Sequence, residues 1–149
     1  MTNRVVNLHP TFSSRDFAIG YGEIWLTFDQ PANYLAINPL DWYLMLLDPA
    51  LNNLIDKETL VVAFPSRKLV NSGIAGYLWG ATIVLDKRIP QGVALLSLLE
   101  REVLDEFISD VNRDLRANAV KNTVTMFVLN EKLQMLGTFT GSAEAQRSH

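Results

Sequence analysis

His9 and His149 are the only imidazoles in the chain, and they stand in its two terminal segments. Cysteine is absent, so disulfides and thiolate sites are excluded and the redox compartment is left open. A metal would therefore rest on carboxylates, which suit hard cations. Glu102, Glu106, Asp110 and Asp114 recur every fourth residue and would line one side of a helix. Such a row is a face for a hard cation or, with Arg101 and Arg113 beside it, a solvated helix face; the second reading is the simpler. Nucleophilic catalysis needs a base held beside a nucleophile, and Ser13, Ser14 and His9 are close in sequence without matching such a motif. Gly73, Gly76 and Gly80 in "GIAGYLWG" are followed by no lysine, so they make no phosphate loop. The expectation is a protein with no catalytic residues, no cofactor and no metal site.

The remaining charges point to surfaces rather than to reactions. Arg67-Lys68 and Lys87-Arg88 are two basic pairs in segments that read as loops. They suit phosphates, the acidic helix of a neighbouring copy, or simply solvent. The stretch from Ser97 to Val120 holds six acids and three arginines, a balance of −3 that equals the net charge of the whole chain. That overall charge argues against a basic face wrapped by nucleic acid. Trp25, Trp42 and Trp79 are candidate core or interface anchors, because an indole buries a large area in either place.

The 149 residues suffice for one domain with a sizeable core. With 48% hydrophobic and 19% charged residues, few charges are left to cover the surface. Such a chain either fills its core well or hides apolar area against partner chains. The start "MTNRVVNLHPTFSSRDF" has no apolar core of a secretory signal, and no run of 18 apolar residues suggests a membrane span. The expectation is a soluble protein made in the cytoplasm.

The elements that must position these residues follow from periodicity. Residues 1–20 are polar and mixed and read as an N-terminal arm, 21–143 as an α+β domain, and 144–149 as a disordered tail. Gly22–Phe28 alternates as a strand would, and Asn33–Asn38 is a second short strand. Asn38 can cap a helix that has Pro39 in its first position, with Leu40, Leu44, Leu47, Leu51 and Leu54 as its apolar stripe. Pro49 should divide that helix in two. Glu58–Phe64 reads as a strand and 65–77 as a loop. Trp79–Asp86 and Val93–Ser97 read as two strands of a hairpin-like unit around the "KRIPQG" turn, in which Pro90 and Gly92 suit a tight reversal. A long helix follows, with Leu99, Val103, Leu104, Phe107, Val111 and Leu115 on one side. Two strands around Asn130-Glu131 close the chain. The fold class is α+β, a single compact domain with a mixed sheet and flanking helices.

Two of these stretches, "NPLDWYLMLLD" and "GYLWGATIVLDKRIPQGVALLS", resemble the axial domain of tailed-phage major capsid proteins, a fold shared with encapsulins. In that family an Asn-Pro opens a helix carrying an aromatic and leucines, matching Asn38, Pro39, Trp42 and Leu46. A Leu-Trp-Gly-like triplet then enters a strand, and a Pro-Gly turn leads to a strand ending in small residues. Leu78, Trp79, Gly80, Pro90, Gly92, Ala94 and Leu95 stand in those places. The final "KNTVTMFVLNEKLQMLGTFTGSA" is similar to the family's last strands. The similarity covers roughly residues 34–143. Family members carry a long arm, an extended loop and a spine helix ahead of this domain, and no long helix is expected here before Tyr34. The chain is thus a shortened relative or a different protein using a similar unit.

The resemblance implies a structural virion protein that self-assembles into or onto a phage shell enclosing DNA, formed in the host cytoplasm. Its partners would be further copies of itself, other virion proteins, and packaged DNA only non-specifically, with no membrane. The interface candidates are Arg67, Lys68, Lys87 and Arg88 against Glu102 and Asp105 of a neighbour, together with Trp79 and Trp42. The alternatives are an accessory head or tail protein, or a small intracellular enzyme or ligand-binding domain with its pocket by Trp42 and Trp79.

Overall fold

In a computed structural model, residues 10–57, 73–119, 123–139 and 141 are described, and they form a mixed α+β domain. The elements, in chain order, are α1 (Ser14–Phe28), β1 (Tyr34–Ile37), α2 (Pro39–Leu46), α3 (Pro49–Leu54), β2 (Asp56–Lys57), β3 (Ile74–Leu78), β4 (Ala81–Leu85), β5 (Val93–Ser97), α4 (Arg101–Asn118), β6 (Val124–Leu129) and β7 (Leu133–Phe139). The basic pair Arg67-Lys68 and the strand expected at Glu58–Phe64 lie outside the described residues.

The first departure from expectation is α1, a fifteen-residue helix where an arm and a strand were expected. Its start is specified by a capping box. The Ser13 hydroxyl accepts the Asp16 N–H at 3.2 Å, and the Asp16 carboxylate accepts the Ser13 N–H at 3.0 Å. The alternation over Gly22–Phe28 is outweighed by a longer helical spacing, in which Phe17, Tyr21 and Ile24 all face the core. Gly20 lies on that same side. A Cβ there would collide with the Met126 Sδ of β6, so this glycine sets how closely helix and sheet approach. The helix stops at Asp29, whose left-handed backbone lets its N–H reach the Trp25 carbonyl at 3.0 Å.

The α2–α3 segment follows its sequence signals. Asn38 caps α2 by accepting the Leu40 N–H, Pro39 takes the first helical position, and Pro49 opens a separate short helix capped by Asp48. The buried side is Trp42, Met45 and Leu51, whereas Leu40, Leu47 and Leu54 of the expected stripe face outward.

The sheet has seven strands in the order β2-β3-β4-β1-β5-β6-β7. The stretch from Trp79 to Ser97 is not a hairpin, because β1 lies between its two strands, parallel to β4 and antiparallel to β5. The intervening loop spans a strand instead of turning tightly. The actual hairpin pairs β3 with β4 through Trp79 and Gly80. Strands β5 and β6 are parallel neighbours joined by α4, a connection that needs a crossover element. The expected β6–β7 hairpin is present.

Helices cover both faces of the sheet. On one face, Phe17, Ile24, Trp42, Met45 and Leu51 pack on Leu35, Ile83, Leu96 and Met126. On the other, Leu104, Ile108, Val111 and Leu115 of α4 pack on Val84, Leu95 and Phe127. Every residue of β5 and β6 is buried, which is why "VALLS" and "VTMFVL" read as nearly continuous apolar runs. Each fully buried aliphatic side chain of α4 contributes about 2 kcal/mol.

Candidate functional site

Residues of the two stretches that carry the family resemblance touch each other. The Asn38 side-chain amide donates to the Ile89 carbonyl at 2.9 Å. Asp41, fully buried in the first turn of α2, accepts the Gly92 N–H at 2.7 Å. These two residues therefore clamp the loop from Asp86 to Gly92 onto α2. A buried backbone N–H without a partner is costly, and a buried carboxylate needs donors. Here Asp41 Oδ2 supplies the acceptor that the Gly92 N–H needs. This is scaffolding and not a reactive centre.

Arg88 belongs to the same scaffold. Its guanidinium donates to Asp86 at 2.7 and 3.0 Å and to Ser109 of α4 at 2.6 Å. Burial pushes the Asp86 carboxyl up, but hydrogen bonds from the Arg88 side chain and backbone, with the charges of Arg88 and Arg101, hold it below its ordinary value. The arginine expected to meet a neighbour is thus bound inside its own chain, where it ties the loop to α4. Lys87 is exposed beside it. Glu102 and Asp105 are exposed on α4, and Asp105 pairs with Arg101 at 3.3 Å. Among the described residues no group of three His, Asp or Glu side chains is arranged to hold a metal ion. Nor is any helix among them long and apolar enough to cross a membrane.

The tryptophans divide between core and surface. Trp42 is only 7% exposed and packs in the core beneath α2. Trp25 and Trp79 are 53% and 44% exposed, and they border a groove of about 310 Å³ between α1 and the β3–β4 turn. Ala18, Tyr21, Gly22, Pro31 and Ala32 complete its lining, with no charged side chain among them. Trp79 lines this groove and Trp42 does not.

Two residues of this groove are poor choices for their own backbone. Trp79 and Gly80 form a two-residue hairpin turn in which both have positive φ, 47° and 88°. Turns of this kind favour Asn, Asp or Gly, and a bulky aromatic there costs about 1 kcal/mol. Its indole is held edge-on against the Tyr21 ring, with centroids 5.5 Å apart at 81°. Gly22 sits in the interior of α1, where glycine costs about 1 kcal/mol relative to alanine. Unlike Gly20, it has nothing within 4 Å of where a Cβ would stand, so no internal contact demands it. The Tyr21 hydroxyl, beneath the groove, is buried without a hydrogen-bond partner among the described residues, and burial pushes its pKa well above the phenol range.

A second apolar surface lies on α2 and α3. Leu40, Tyr43, Leu47 and Leu54 project outward, with Tyr43 64% and Leu47 75% exposed. Leu40, Tyr43 and Leu47 stand at i, i+3 and i+7 and form a ridge. A lone exposed leucine means little, and these side chains instead neighbour one another on one helix face. Periodicity pointed to Leu40, Leu47 and Leu54 as part of one apolar stripe, and not to Tyr43. Of the groove only Trp79 was anticipated, although a glycine inside a helical spacing and a Trp-Gly pair between strands were its available signals.

No protein-family model, no curated protein and no solved structure matches this chain.

Proposed function

We propose that this protein is a structural subunit that works by self-association, building into or onto a shell of the tailed-phage capsid kind around DNA. The observation that carries the reading is the coexistence, on one chain, of two uncharged apolar surfaces: the Trp25–Trp79 groove and the Leu40–Tyr43–Leu47 ridge. Exposed apolar area of this kind is tolerated where a partner covers it. The sequence resemblance to the capsid axial domain supports the same reading. So does the net charge of −3, which sets little long-range repulsion between copies.

On this reading the molecule's work is to hold surfaces in fixed relation. The clamp of Asn38 and Asp41 and the tie of Arg88 to Ser109 fix a loop against helices on opposite sheet faces. A rigid subunit repeats the same contact angle in every copy, which symmetric assembly requires. The test is light scattering with negative-stain electron microscopy of the purified protein across protein concentrations and at low and moderate salt. Closed shells, rings or sheets are expected. A monomer at every concentration overturns self-assembly as the function.

A further inference from the structure

We infer that the self-association proposed above, on which this inference rests, runs through the sheet: β7 of one copy pairs edge to edge with β7 of a second. The two edges of the sheet are β2 and β7, and they are built differently. β2 is two residues long and both are charged, Asp56 and Lys57. Short, charged edges are how sheets avoid unwanted pairing. β7 runs for seven residues, Leu133–Phe139, with no charge and no proline. Its one blunting feature is a bulge at Leu136, where the register with β6 shifts between Met126 and Phe127.

The hydrogen bonds of β6 decide which groups of β7 look outward. The Thr125 N–H goes to the Gly92 carbonyl at 2.8 Å, and the Leu129 carbonyl accepts the Leu98 N–H at 3.0 Å. Both residues thus turn their main-chain groups toward the β5 side, away from β7. Successive residues of a strand alternate in this direction, so Phe127 does the same. The partners of these three in register are Thr138, Leu133 and Met135. Opposed residues of an antiparallel ladder exchange both hydrogen bonds or neither. Leu133, Met135 and Thr138 therefore point their N–H and C=O away from β6, and among the described residues no strand lies there. Met135 and Thr138 are exposed. Such a row of main-chain donors and acceptors selects an extended backbone as its partner.

In self-association that backbone comes from the same chain. Among the described strands only the two edges can take a neighbour, and β2 is too short to match seven residues. The partner of β7 is then β7 itself. A surface that meets its own copy forms an isologous contact about a two-fold axis. The strands run antiparallel, the arrangement in which each copy gives and takes the same bonds. Like charges set opposite each other would oppose such pairing, and β7 carries none.

The test uses the full chain. Thr138→Pro removes an outward N–H and spares the β6 side of the ladder. Met135→Lys places a charge on the edge at an exposed position. Each should self-associate about tenfold more weakly than the parent in sedimentation velocity, with unchanged circular dichroism. Thr138→Val keeps the N–H and should associate as the parent does. Amide hydrogen exchange gives a second reading that needs no variant, so it decides the case even where a substitution disturbs the fold. The Met135 and Thr138 amides should exchange freely in dilute protein and become protected as its concentration rises. A parent that associates with both amides still exchanging freely, or folded variants that associate as the parent does, overturns this contact and leaves self-association standing. A parent that stays monomeric at every concentration overturns the self-association reading, and this contact with it.

Discussion

Asp41 on α2 accepts the backbone N–H of Gly92, fifty-one residues further along the chain, at 2.7 Å in a fully buried setting. Asn38 holds the Ile89 carbonyl of the same loop. Asp41→Ala strands the Gly92 N–H in the interior, and a buried donor left without its acceptor costs about 1–3 kcal/mol. Chemical denaturation should show a loss of that size. Asp41→Asn keeps an acceptor oxygen and should lose less. Equal losses for the two variants would mean that the carboxylate's charge matters more than its bond to Gly92.

Gly20 fixes the spacing between α1 and β6. Gly20→Ala drives a methyl group into Met126, which is itself fully buried, and overpacking of this kind costs about 1–3 kcal/mol. Shortening the obstacle should relieve it. The double variant Gly20→Ala with Met126→Ala is therefore expected to be more stable than the sum of the single losses predicts, as a thermal-unfolding double-mutant cycle would read.

The Asp86–Arg88 pair gives a pH signature with a definite sign. The folded carboxyl sits below its ordinary value of 3.8. A depressed carboxyl stabilises the fold above that ordinary value, and the contribution is lost as the pH falls through the lowered one. Asp86→Asn should cost about 1 kcal/mol at neutral pH, since the arginine is partly exposed and screened. The gap between the variant and the parent should narrow below pH 3.8 and close once the folded carboxyl is protonated. A gap that persists in acid would place the effect in packing instead.

Gly22→Ala separates stability from association. With nothing within 4 Å of the added methyl group, the helix should gain about 0.5–1 kcal/mol. A loss of stability would reveal an internal role for this glycine.

Tyr21→Phe removes a buried hydroxyl that has no partner among the described residues while keeping the ring that supports Trp79. Deleting an unsatisfied polar atom is neutral or stabilising, by about 1 kcal/mol. Calorimetry should therefore show an unchanged or raised melting temperature.

Local chemistry determined the elements whose signals lie within a few residues. Asn38-Pro39 and Pro49 bounded two helices because capping and the missing proline N–H act at once on the adjacent turn. The apolar spacing from Leu104 to Leu115 and the paired runs of β6 and β7 were equally plain, since 3.6-residue and two-residue periods are properties of a single element. The seven alternating residues from Gly22 to Phe28 misled because Ser13, Asp16 and Phe17, upstream of them, decide the helix.

The placement of β1 between β4 and β5, the fate of Arg88 and the exposure of the α2 ridge were decided only by tertiary structure. Periodicity shows that a segment has an apolar side, but not which neighbour covers that side. Leucines at Leu40 and Leu47 carry the same signal as Leu51, and only the position of the sheet buries one and leaves the others in solvent. The groove is the extreme case. It joins an α1 glycine to a tryptophan fifty-seven positions later, and no pattern local to either residue records that they meet.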